Sequence, residues 1–385
     1  MKNNRIEVID ALRGFAIATL MLLHATQHFL YSVFPENSPL WLSSANNAVR
    51  SMLVFLFSGK SYLIFALLFG FTFSLMYRKQ CQEGKDFVGR FVWRQLLLLC
   101  FGLVNVAFFP GDVLVSYALA GLILIPFRHL SNKIILIAAL VLALLPGEIY
   151  MMMRSIANPD YIPFDNGYTL NYVHIKEGIA TGSWLTTWSS NLKYAMLAGL
   201  GWLWDVGRIA QTSSLFMVGF VVGKTNLFAE NDANKKFWIK LAIGAFTAIL
   251  ILYPTSESLK SVFESAPWIE PLHTIATSWY DIAFTAILVS LFVLLYNFET
   301  FKKLCIPLST YGKASLSNYI GQSVIGAFLF YPSGLNLAPY TGMITSALIA
   351  VFIIVLQIQF TSFYLKTHRR GILEEIWHKL TWINR

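Results

Sequence analysis

Charge is scarce in this chain. Only 13% of its 385 residues are Asp, Glu, Lys or Arg, and 56% are hydrophobic. A soluble domain carries roughly 25% charged residues, so an ordinary soluble fold is excluded. Cysteine is scarcer still: Cys81, Cys100 and Cys305 are too few and too scattered for a disulfide framework or a zinc site. No small-residue cleavage site follows the first apolar segment, so that segment is expected to stay as a first span. No internal repeat is visible, which weakens inverted-repeat transporter designs without excluding them. The short glycine patterns, Leu68-Phe-Gly70-Phe and Gly199-Leu-Gly201, form no phosphate loop and read as packing glycines.

What is present is long apolar sequence. A helical span needs roughly 20 mainly apolar residues. About ten segments qualify: 12–32, 51–76, 94–110, 113–128, 133–152, 207–224, 237–253, 275–296, 314–332 and 342–365. The expected fold is all-α, a polytopic helical membrane protein. The chain reads as a single transmembrane domain over 1–385: an N-terminal five-helix half (1–152), an external loop with a short interfacial or re-entrant helix (153–206), and a C-terminal five-helix half (207–385). The loop, 153–190, is rich in Asn, Tyr, Thr, Pro and Trp, and its aromatic content argues against disorder. Residues 191–205 are short, and Trp202 and Trp204 suit an interface.

The net charge of +9 could point to nucleic acid. The bases instead cluster between apolar segments, as juxtamembrane loops do, and no nucleic-acid partner is expected. Lys2, Arg5 and Arg13, then Arg78 to Arg94, Arg128 and Lys133, Lys224 to Lys240, Lys302 to Lys313, and finally Lys366 to Arg385 fall on alternate connections. The opposite connections carry Glu36, Asp112, Asp160, Asp165, Glu257, Glu264 and Glu270. Ten spans with both termini cytoplasmic satisfy this bias, because Lys and Arg remain inside.

Ionisable groups at membrane depth are functional candidates. At about 1.5 Å per residue, His24 lies roughly 18 Å from the cytoplasmic edge of a ~30 Å core. Lys60 lies roughly 13 Å below the outer edge, and Asn105 roughly 16 Å from the inside. Asn318 and Gln322, at roughly 6 and 12 Å, share one helix face. Equal depth allows one polar cavity. Each residue also has a plainer role. His24 could donate to a neighbouring carbonyl. Lys60 could pair with Asp112, Asp205 or Asp281. Asp10 could favour the positive end of its helix, and Arg13 could reach lipid phosphate. His28 lies four residues after His24, but with no carboxylate or thiolate nearby no metal is expected.

The opening Ile9-Asp-Ala-Leu-Arg-Gly-Phe-Ala, followed by His24, resembles that of the transmembrane acyltransferase superfamily. This group includes the acyltransferase-3 O-acyltransferases and the heparan-glucosaminide N-acetyltransferases. The chain more closely resembles the YeiB family of bacterial inner-membrane proteins. The matching stretches are Gly59-Lys60-Ser-Tyr-Leu-Ile-Phe-Ala-Leu-Leu-Phe-Gly70 and Tyr311-Gly-Lys-Ala-Ser-Leu-Ser-Asn318-Tyr-Ile-Gly-Gln322-Ser323. The tail from Gly371 to Trp377 is similar to the family's Gly-Pro-Leu-Glu-Trp-leading end, with Ile372 in place of Pro. The later Arg-rich motif of acyltransferase-3 members has no counterpart here.

The superfamily resemblance implies acyl transfer from cytoplasmic acyl-CoA, acetyl-CoA first, to a cell-envelope glycan or lipid acceptor. His24 would be the general base or acyl carrier, and Lys60 with Asn318 or Gln322 would stabilise the oxyanion. Asp10, Arg13 and the bases from Arg78 to Arg94, Arg90 and Arg94 among them, would form the cytoplasmic mouth. Asn105 would line the substrate site. The alternative is a permease for a small anionic solute, with Lys60 as counter-charge and His24 as proton-coupling group. A structural scaffold is the third reading. The expected partners are membrane lipids, acyl-CoA, the acceptor and, in assembly, a second copy as a homodimer.

Overall fold

The computed structural model describes residues 7–158, 160–162, 164–262 and 267–383, and among them there are helices and no strands. Lys2, Arg5, Glu264 and Arg385, which enter the charge bias, lie outside the described residues.

The first helix, α1 (Glu7–Thr26), carries Glu7 and Asp10 in its first turn, where negative charge complements the helix dipole. It is buried on nearly all sides and packs against α3, α15, α16 and α17. A helix apolar all round belongs in such a centre. The following helices are α2 (Leu40–Phe57), α3 (Lys60–Gln82) and α4 (Val88–Phe108). After the turn at 109–113 come the short α5 (Leu114–Ala120) and α6 (Leu124–Phe127). Then α7 (Asn132–Ala143), N-capped by Ser131, meets α8 (Pro146–Ala157) at 41°.

The stretch expected as an external loop is more ordered than its composition suggests. It holds α9 (Tyr168–Ala180) and the start of α10 (Trp184–Asp205). Gly182, at φ +72°, and the Ser183 cap separate the two. The aromatic residues pack between helices, with Phe108 against Trp184 and Trp188. At Gly207, φ +63°, α10 turns 78° into α11 (Arg208–Lys224).

The rest comprises α12 (Asp232–Val262), α13 (Ile269–Tyr296), α14 (Glu299–Leu304), α15 (Ile306–Lys313), α16 (Ser315–Phe330), α17 (Met343–Tyr364) and α18 (Ile372–Thr381). By length and composition, 6 described helices can cross a membrane, or up to 8 if each bent pair is one span. The expected tenfold pattern also used 113–128 and 314–332. There the structure has the short apolar stretch Leu114–Phe127 and the 16-residue α16.

Backbones touch where side chains vanish. A Cβ on Gly70 would strike the Phe216 carbonyl, and one on Gly219 the Leu67 carbonyl, so α3 and α11 meet face to face. Gly14 and Gly312 bring α1 and α15 together in the same way. Small residues serve this purpose in membranes, where hydrophobicity does not drive helix association.

Candidate functional site

The central α1 forms one wall of a cavity of about 500 Å³. The cavity opens at the end of the bundle where α1 begins and α18 lies. Its mouth is basic: Arg13, Arg94, Lys313, Arg370 and His378 all line it. Farther in the walls are apolar, with Leu20, Phe65, Leu68 and Leu98, and the inner end holds Val113, Tyr117 and Tyr319.

The tail builds the mouth. Glu374 on α18 accepts the backbone N–H groups of Leu316 (2.6 Å) and Ser317 (3.2 Å) and the Ser317 hydroxyl (2.6 Å). It therefore supplies from a distance the cap that Ala314 cannot give α16. Burial pushes the Glu374 carboxyl above its usual range, against the lowering effect of those hydrogen bonds. One turn on, Trp377 donates its indole N–H to the Arg94 carbonyl at 3.2 Å, and its ring lies 3.5 Å under the Arg94 guanidinium. Arg13 donates to Thr72 Oγ1 at 2.5 Å and to Asp10 Oδ1 at 3.3 Å, which holds its guanidinium across the opening between α1 and α3.

At the inner end, Tyr117 donates to the Tyr62 carbonyl. The Tyr319 hydroxyl accepts the Val113 N–H at 3.4 Å, and no described residue takes its own proton. The Tyr319 ring lies 6.4 Å from that of His24. His24 is half-buried against Phe109, at 4.4 Å, and has no hydrogen-bond partner among the described residues.

The other expected site residues lie elsewhere. Lys60 Nζ is 2.9 Å from Asp281 Oδ1 and faces the Tyr280 ring at 4.8 Å, outside the cavity lining. Of the acids named as partners, α13 supplies the one that pairs. Asn318 and Gln322 do share a face of α16, but it looks toward α15 and α17. Asn318 donates to the Tyr311 carbonyl (2.9 Å), Gln322 to the Tyr311 hydroxyl (2.6 Å), and that hydroxyl to Gln357 (2.6 Å). Asn105 donates to Asp112 at 2.7 Å and so fixes the turn after α4. Arg90 stacks on Trp382 at 4.1 Å, beside the mouth in a smaller cleft. His28 is held by the Val33 carbonyl (2.7 Å) and Ser346 (2.8 Å). Among the described residues no group of three His, Cys, Asp or Glu side chains could hold a metal ion.

The structure thus brings Arg13 and Arg94 together at the mouth and sets His24 close to the inner end. It does not bring Lys60, Asn318 or Gln322 there. Sequence reasoning missed Tyr319, Tyr117 and Gln95. Tyr319 had a signal: it adjoins Asn318 in the stretch already singled out, about 100° around the helix from it.

A family model described as "Protein of unknown function (DUF418)" matches residues 222–384. The chain is also similar to the "Uncharacterized protein YxaH" of Bacillus subtilis (strain 168), 26% identical over 415 residues, covering 100% of this chain and 96% of the relative. A second relative is the "Uncharacterized 39.9 kDa protein in amylase 3'region" of Bacillus acidopullulyticus. It is 23% identical over 384 residues, covering 99% of this chain and 94% of the relative. No solved structure matches.

Proposed function

We propose that the chain is a YeiB-like membrane-embedded acyltransferase that moves an acyl group from cytoplasmic acyl-CoA to a cell-envelope acceptor. It would lie in a bacterial inner (cytoplasmic) membrane as ten spans with both termini inside. The observation that carries this reading is the shape of the cavity: a basic mouth where α1 begins and α18 lies, an apolar shaft, and Tyr319 at the far end, with His24 behind the lining and its ring 6.4 Å from that of Tyr319.

The dimensions suit the donor. From Arg13 to His24 the helix climbs about 16 Å. A pantetheine arm has about twelve bonds between its phosphate and its sulfur, roughly 15 Å when extended. A volume of about 500 Å³ lies within the usual range for small-molecule sites. Arg13, Arg94 and Lys313 would hold the phosphates, and the thioester would sit near Tyr319. The acceptor, entering from the opposite side, gives its O–H or N–H proton to a His24 ring nitrogen. Its lone pair attacks the thioester carbon, and the Tyr319 hydroxyl donates to the oxyanion. The C–S bond then breaks, and the proton on His24 passes to the departing thiolate.

The permease reading gave Lys60 the substrate's charge. With Lys60 at 2.9 Å from Asp281, no observation favours that assignment. The test is transfer of labelled acetyl from acetyl-CoA by purified protein in lipid nanodiscs, wild type against His24→Ala. Transfer lost in the variant is expected. Full activity in the variant removes His24 from the mechanism, and absence of acyl-CoA binding by the wild type overturns the proposal.

A further inference from the structure

Gln95 is the odd polar group of the shaft. It follows Arg94 on α4, lines the cavity just inside the basic mouth, and is only 3% exposed. Its Oε1 is buried without a hydrogen-bond partner, and no described residue bonds its amide nitrogen. Asn105, Asn191 and Gln322 also leave a carbonyl oxygen unpaired, but each spends its amide nitrogen on a bond within the fold, which Gln95 does not. Asn191 donates to the Ala107 carbonyl, Gln211 to the Ser278 carbonyl and Gln357 to the Asn318 carbonyl. Gln80 shares the lack but faces a cleft of about 40 Å³, too small for a ligand's arm. Thr72, a hydroxyl of the cavity lining, is committed to Arg13 and the Leu68 carbonyl.

A buried amide left unpaired is costly, and low-dielectric surroundings raise that cost. A ligand that brings its own amide removes it, because an amide carries both a donor and an acceptor and matches another amide. The order along the cavity is therefore cationic mouth, one uncommitted amide, then apolar walls. Phosphorylated hydrocarbon chains carry no amide at that point. A phosphorylated pantetheine arm does.

We propose that Gln95 reads the donor's amide nearest its phosphates, making the cavity selective for pantetheine thioesters over phosphorylated hydrocarbon chains. This rests on the acyl-CoA reading above and adds a specificity residue to it. Gln95 orients the arm and takes no part in bond breaking.

The experiment measures binding to the full chain in nanodiscs by calorimetry. The probes are acetyl-CoA, adenosine 3′,5′-bisphosphate (phosphates without the arm) and farnesyl diphosphate (phosphates on a hydrocarbon). Gln95→Met, close in volume, should weaken acetyl-CoA about tenfold and leave the bisphosphate unchanged. The wild type should prefer acetyl-CoA to farnesyl diphosphate, and the variant should lose that preference. An acetyl-CoA analogue with an ester in place of the phosphate-proximal amide supplies a measurement on the wild type alone. It should bind the wild type about tenfold more weakly than acetyl-CoA, and should show no such deficit with the variant. Equal weakening of acetyl-CoA and the bisphosphate by the substitution, or wild-type indifference to the ester, overturns the role of Gln95. If the wild type binds neither acetyl-CoA nor the bisphosphate, the acyl-CoA reading falls first and takes this inference with it.

Discussion

Lys60 and Gln95 are both sealed from water, at 4% and 3% exposure, and they are completed differently. Lys60 has its counter-ion within 2.9 Å and two aromatic rings around it. Gly59, without a side chain, lets the Asp281 carboxylate approach. The Asn318–Tyr311–Gln322–Gln357 network is likewise held by bonds among its own members, with Gln322 Oε1 left over. In the cavity lining Gln95 is unpaired and Tyr319 has an ungiven proton, and behind that lining His24 lies among rings. Within a bilayer, a polar group completed by the fold holds the fold together. One left incomplete in the wall of a cavity of ligand size is a candidate to meet a ligand.

Substitutions can break that contrast. The largest effect should come from Lys60→Met, which strands a buried carboxylate and should cost about 3–5 kcal/mol. Lys60→Met/Asp281→Asn should recover most of it in chemical unfolding of the micellar protein. Equal losses in the single and double variants would show that the pair does not hold the fold. His24→Ala should leave stability nearly unchanged and lower acyl transfer roughly 10³-fold. A stability loss as large as that of Lys60→Met would put His24 among the closed groups. Tyr319→Phe should lower kcat roughly 10²-fold with little change in KM. A rise in KM alone would make Tyr319 a wall of the cavity and no more. Glu374→Ala should be mildest, about 1 kcal/mol from the lost cap, with a few-fold rise in donor KM as α18 loosens. An unchanged KM would detach the tail from the mouth.

The helical class was legible because apolar runs of span length are a one-dimensional signal. Helix rise also converts position to height along an axis, although α1 ends at Thr26 and so sets His24 in its last turn, where the expected span ran on to 32. Height says nothing of direction around the axis, and there the reading stopped. Asn318 and Tyr319 are neighbours in sequence, about 100° apart around α16, one turned into the network with Tyr311 and one into the cavity. The partner of Lys60 required knowing that α13 packs beside α3. The tail looked like a topology signal with a family motif. Its Glu374 acts on a helix start 58 positions earlier in the chain, a relation no local pattern encodes.

That long reach has a consequence for the order of events in the cell. Leu316 leaves the ribosome well before Glu374, so α16 is made with its first amides uncovered. The wall that Trp377 and Arg370 add is likewise made well after α16. A chain cut short by premature termination, or trimmed by a protease at 366–371, would keep every span and still present a ragged, unfinished doorway. The entrance of the cavity therefore depends on a stretch made long after the helix it finishes.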